Sequence, residues 1–195
     1  FIGDTGYGGG GVIDPLDPTT AFYRDMVFKI DLETGGWSLT QVGFVMPEGA
    51  AAHGIVRSEG DRATGSDVEA EYATSYRGRT YVCTCRGERQ MFKKRPDGRW
   101  ALCVYIDPRR KLGWCDRNDD GKVQEDEVFR GPAQADWGGT DYWGMRPSRN
   151  LDWFFSRGLE RPGLALRLAG ITPGGTPLYD FTKFEPMAGE CMNGI

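Results

Sequence analysis

Histidine is almost absent from this chain: His53 stands alone among 195 residues. A Ser-His-Asp hydrolase would have to use it, with Ser58 or Ser66 near only in sequence, and no G-x-S-x-G elbow is present. Long basic runs are missing as well. Arg109-Arg110-Lys111 is the longest, and the formal net charge is −4, so the basic stripe that a nucleic-acid partner requires is excluded. No stretch of eighteen apolar residues could form a membrane-spanning helix, and no secretory leader is visible. The chain opens on Phe1-Ile2, which reads as the end of a strand, so we expect a processed chain or part of a longer one. Cysteine is scarce and odd in number. Cys83, Cys85, Cys103, Cys115 and Cys191 cannot all pair with one another, and Cys83 and Cys85 on one strand face are too constrained to bridge. With a single His and no C-x-x-C-H, the cysteines read as small core residues. Helix signal is weak too; only residues 123–129 suggest a short turn, stopped by Gly131-Pro132.

What the chain has in abundance is glycine, at 29 residues, and aromatics, at 12 %, which together predict tight turns between strands carrying large side chains. Residues 3–20 read as a Gly/Asp/Pro loop, and no phosphate-cradling lysine motif follows Gly8 to Gly11. From Met26 to Val45, apolar and polar residues alternate around a Glu33-Thr34-Gly35-Gly36 turn, which predicts a hairpin. Further strand pairs turn at Arg77-Gly78, at Pro96-Asp97-Gly98 and at Pro173-Gly174-Gly175.

Three of these hairpins resemble one another. Phe28-Lys29 precedes a Gly turn and Trp37; Phe92-Lys93 precedes one and Trp100; Leu166-Arg167 precedes one and Tyr179. The first offset is 64 residues and the second 74, longer than the roughly 40–50 of common propeller repeats, so insertions are expected at 57–67 and 116–150. The pattern predicts an all-β fold: a β-propeller-like array of antiparallel hairpins, with about three blades in residues 1–195, as a single domain or fragment, the alternative being an irregular β-sandwich, which has no need of self-similar hairpins.

The most specific stretch is DRNDDGKVQEDE, Asp116 to Glu127, which fits D-x-[DN]-x-[DN]-G-x5-E at every required position. Calcium takes six to eight oxygens at roughly 2.3–2.6 Å, and alternate residues of a curled loop converge on one point. Asp116, Asn118 and Asp120 would supply side chains, Lys122 a carbonyl, Gln124 a bridging water and Glu127 a bidentate carboxylate. Gly121 permits the turn and Val123 anchors it, while Asp119, Glu125 and Asp126 are expected to face solvent. The flanks do not read as helices, with Pro108 and Gly113 before and Pro132 after. The calcium is therefore expected to be structural rather than a sensor's trigger.

The stretches FIGDTGYGG, FKKRPDGRWAL, GWCDRNDDGKVQEDEV, YWGMRPSRNLDWFF and LALRLAGITPGGTPLYDF give the chain a resemblance to NHL-like β-propeller proteins of secreted bacterial multidomain type. That resemblance implies calcium at the matched positions and no reaction. It also implies a ring completed by other segments or chains, since a closed propeller needs at least about four blades. The loop alone also resembles one dockerin repeat, but dockerins need two.

The expectation is a non-catalytic scaffold or interaction module in an extracytoplasmic (periplasmic or secreted) assembly, with other protein chains as partners. The alternative is a carbohydrate-binding or carbohydrate-active protein. Trp137, Tyr142 and Trp143, set beside Asp136 and Asp141, would then meet a glycan, and His53 could line a central channel.

Overall fold

The computed structural model describes residues 11–55, 70–84, 87–139, 146–157 and 161–187. Cys85, Cys191, Ser58, Ser66, Tyr142 and Trp143 lie outside the described residues, as do most of the 3–20 glycines and the 57–67 insertion.

The described chain is all-β, with thirteen strands in three antiparallel sheets, each strand beside its sequence neighbour. The first sheet holds β1 (Val12–Ile13), β2 (Thr20–Tyr23), β3 (Met26–Ile30) and β4 (Trp37–Val42). The second holds β5 (Tyr72–Tyr76), β6 (Arg79–Thr84), β7 (Arg89–Lys94), β8 (Trp100–Asp107), β9 (Leu112–Cys115) and β10 (Val128–Arg130). The third holds β11 (Trp153–Phe155), β12 (Leu164–Ile171) and β13 (Pro177–Pro186). None of the three closes into a barrel. The three related hairpins are β3–β4, β7–β8 and β12–β13, one in each sheet, and each turn closes where the glycines predicted. The helical turn expected at 123–129 is shorter: a single 3-10 turn at Glu125–Glu127, after which the chain enters β10 and pairs with β9.

The second sheet is covered on both faces. Tyr81, Cys83, Met91, Cys103 and Ile106 share one core with Trp153, Phe155, Leu166 and Phe181 of the third sheet. Val82, Phe92, Leu102, Tyr105 and Trp114 share the other with Phe22 and Val27 of the first sheet and with Phe44 and Ile55. Two-sided burial is why β8, reading WALCVYID, is buried at every residue instead of alternating. After β4 the chain crosses to this sheet. Val45 pairs in parallel with Ala101, at the end of β8 that β9 does not reach.

Cys83, Cys103 and Cys115 are buried. Burial pushes the Cys115 thiol up to about 12 and the Cys103 thiol higher still, so neither forms a reactive thiolate.

One close approach ties the third sheet to the second. The Phe181 ring lies over Gly113, where an added Cβ would come within 2.6 Å of the ring. Gly113→Ala is therefore expected to cost about 1–3 kcal/mol through overpacking, with unchanged secondary structure. Urea unfolding monitored by circular dichroism reads the loss as a lower midpoint.

Candidate metal site

The loop from Asp116 to Glu127 joins β9 to β10, so both its ends are fixed by the same pair of hydrogen-bonded strands. Its first and last carboxylates are buried, with Asp116 at 3 % and Glu127 at 4 % exposure. The acidic motif thus folds inward at both ends, unlike a solvated turn.

Gly121 has φ of 73° and donates its N–H to Asp116 Oδ2 at 3.2 Å. Asn118 Oδ1 accepts from Asp120 N at 3.2 Å, and Asp120 Oδ1 accepts from Lys122 N at 2.8 Å. Gln124 reaches back to Asp120 Oδ2 at 2.7 Å. At the far end, Glu127 accepts from Arg117 N at 2.8 Å and from the Trp114 indole at 3.2 Å. Asn118, Asp120 and Gln124 are thus linked side chain to side chain, while Asp116 and Glu127 each take a backbone N–H of the same loop.

Two oxygens of the loop are left over, Asp116 Oδ1 and Gln124 Oε1, and the charged one is the costlier. Asp116 Oδ1 is buried and has no hydrogen-bond partner. Burial, the first cause, raises the Asp116 carboxyl to about 6, and Glu127 and Asp119 add to it against the pull of Lys93. Its Oδ1 has no donor or cation in hydrogen-bond reach. A hard divalent ion at this point would take the orphan oxygen and offset the repulsion, so the residues present fit calcium. Among the described residues no three carboxylate, His or Cys side chains are already gathered around one point. Ligation therefore asks Asp120 and Glu127 to exchange bonds with loop N–H groups for bonds to the ion. For Lys122 the backbone N–H is placed in the network, and its side chain pairs with Glu48 at 3.2 Å on the surface.

Val123 is buried in the core shared with the first sheet. Its N–H donates to Glu48 O at 2.9 Å, and Glu48 N donates to Gly121 O at 2.9 Å. The segment after β4 thus backs the loop with a short two-bond bridge.

Asp119 corrects the expectation that it faces solvent. Its side chain is 17 % exposed and turns toward the third sheet. It accepts from Lys93, from Thr172 Oγ1 at 2.8 Å, from Thr176 Oγ1 at 2.7 Å and from Gly174 N at 2.8 Å. Burial alone would raise this carboxyl, but the bonds from Lys93, Thr172 and Thr176 outweigh it and hold the group at about 2. Sequence reasoning missed Asp119, Lys93, Thr172, Thr176 and Glu48. The only available signal was that Thr172 and Thr176 flank the Pro173-Gly174-Gly175 turn. A cleft of about 310 Å³ opens beside this cluster, lined by Met46, Lys93, Arg95, Asp116, Asp119 and Gly174 among others.

The other candidate ligand residues lie elsewhere. Trp137 is buried between Phe129, Phe181 and Phe184, with ring centroids 4.7 to 6.2 Å apart in this stack, so it is a core side chain with no face for a sugar. His53 ends a 3-10 turn and its Nδ1 stands 3.0 Å from Glu125, on the flank of the loop rather than in a channel. Compared with protein-family models, with curated proteins and with solved structures, the chain matches none.

Proposed function

We propose that this chain is a calcium-stabilised, non-catalytic β-propeller-type segment that serves as a scaffold or interaction module in an extracytoplasmic assembly. The observation that carries the reading is the buried Asp116 carboxylate, with one oxygen unpartnered, inside a loop that matches a calcium template at every ligand position. The propeller part is supported by the three related hairpins, each seeding its own sheet, and by the middle sheet being covered on both faces as an inner blade would be.

The extracytoplasmic part follows from the expected affinity. A lone loop flanked by strands has no helix pair to preorganise it. Its affinity should then fall among those of extracellular modules, with Kd on the order of 10⁻⁴–10⁻³ M, useful only where calcium is abundant.

Calcium titration by calorimetry is expected to give one site in that range. At a hundredfold excess over Kd, occupancy adds about 2.7 kcal/mol, a rise in melting temperature of roughly 5–10 °C over the chelated protein. Absence of both heat and shift would remove the calcium reading.

A further inference from the structure

The first and third sheets each present one face away from the second, and the two faces differ. On the third sheet, Arg167 bridges Asp152 at 3.0 Å and Glu185 at 3.4 Å, and Lys183 pairs with Asp180. That is a solvated face. On the first sheet, the outward side carries large apolar residues. The register places Trp37 opposite Ile30, Leu39 opposite Phe28 and Val42 opposite Met26, with one extra residue, Thr40, in β4. Without that bulge Val42 would turn inward; with it, all three β4 side chains share the outer face. Trp37 is 59 % exposed, Leu39 46 % and Val42 69 %. Ile13 joins them across β2, and Leu16 and Leu32 stand exposed in the turns at one end of the same sheet. Among the described residues nothing covers this face.

We propose that this outer face of the first sheet is a two-fold self-association surface, covered by the same face of a second copy of the chain. With the two turn leucines covered as well, the six exposed residues supply at most on the order of 600 Å² per copy, about 1,200 Å² for a pair, at the lower edge of stable interfaces. β4 itself carries no charge, and two twisted apolar sheet faces pack against each other without further shaping. The charged faces of the third sheets stay in water.

Charge selects the orientation. Asp31 and Glu33 stand at the β3–β4 turn, and Asp17, already paired with Lys29, stands at the β1–β2 turn of the same end. A two-fold axis across the strands puts these acidic ends at opposite extremes of the pair; an axis along the strands would bring them together. The antiparallel sandwich is therefore the arrangement assigned.

This inference deepens the interaction half of the proposed function and rests on it, but not on the metal. Sedimentation velocity from about 1 to about 100 μM, in calcium and in chelator, tests it. The expected result is a monomer–dimer equilibrium in the wild type. Leu39→Glu and Val42→Lys are each expected to weaken it at least roughly thirtyfold, and Arg167→Glu on the third sheet to leave it unchanged. Val42 is the most exposed of the three, so that variant decides if a Leu39 variant loses its folded circular dichroism spectrum. A wild type that stays monomeric, a dimer indifferent to the β4 variants, or an open series of larger species overturns the proposal. A dimer that persists without any heat of calcium binding removes only the metal reading.

Discussion

Asp119→Asn should lower the stability of the protein by about 3–5 kcal/mol, the cost of leaving a buried charge without its counterion. The charge left behind is Lys93. Its side chain is 10 % exposed, and besides Asp119 it hydrogen-bonds neutral acceptors, Thr176 Oγ1 at 2.7 Å and Gly174 O at 3.3 Å, with the Asp116 carboxylate acting on it only at longer range. Asn is the informative replacement because Asp119 has φ of 60°, a left-handed conformation that Asn tolerates and Ala does not. The backbone is then unperturbed, and the loss reports charge. Lys93→Met placed on top of Asp119→Asn should restore much of the stability, since both members of the ion pair are then gone. The same carboxylate fixes the third sheet's turn through Thr172, Gly174 and Thr176, so local loosening should follow. Hydrogen exchange in residues 172–176 should speed up beyond what the global change explains. If the single variant falls by less than about 1 kcal/mol, Lys93 is better solvated than its burial implies and the loop does not hold the third sheet.

Much of this fold was legible because turns are local. The Asp31–Gly36, Pro96–Gly98 and Pro173–Gly175 turns depend on residues within a few positions, and each hairpin formed where the sequence placed it. The calcium template was legible for the same reason: its positions all lie within Asp116 to Glu127. What escaped was every contact of long sequence range. Asp119 occupies a non-ligand position of the template, so the motif assigns it to solvent. Its partners are 26 residues upstream at Lys93 and 53 downstream at Thr172. Nor does period-two alternation reveal that β7 and β8 are buried on both faces, because a second covering sheet makes polar and apolar positions equally inaccessible. Trp137 illustrates the converse. Its place among Tyr142, Trp143, Asp136 and Asp141 in sequence suggested a sugar platform, but Phe181 and Phe184 from β13 enclose it.

The second large effect separates the metal's role from that of the loop. Asp116→Asn should make the calcium-free protein more stable at pH 7.5 and blind to calcium. The sign follows from the carboxyl being raised to about 6 from an ordinary value of 3.8. Between those values the folded state holds the proton that the unfolded state has released, so calcium-free stability falls as pH rises through that window. Above about pH 6 the full penalty is present, at most about 3 kcal/mol for a displacement of roughly two units. Asn removes the charge and keeps an oxygen for the Gly121 N–H, which recovers about 1–3 kcal/mol, or a few to about ten degrees of melting temperature. In the wild type calcium relieves the same penalty by supplying the missing cation, so the two gains should not add. The variant in chelator should approach the melting temperature of the wild type in calcium, and added calcium should not raise it further. Asp119 moves the other way: its contribution is present above about pH 4 and is lost as pH falls through about 2, so the two carboxylates act in separate windows. If Asp116→Asn instead destabilises the chelated protein, the carboxylate already has a partner in the protein. The orphan oxygen that carries the calcium reading would then be filled from within the chain.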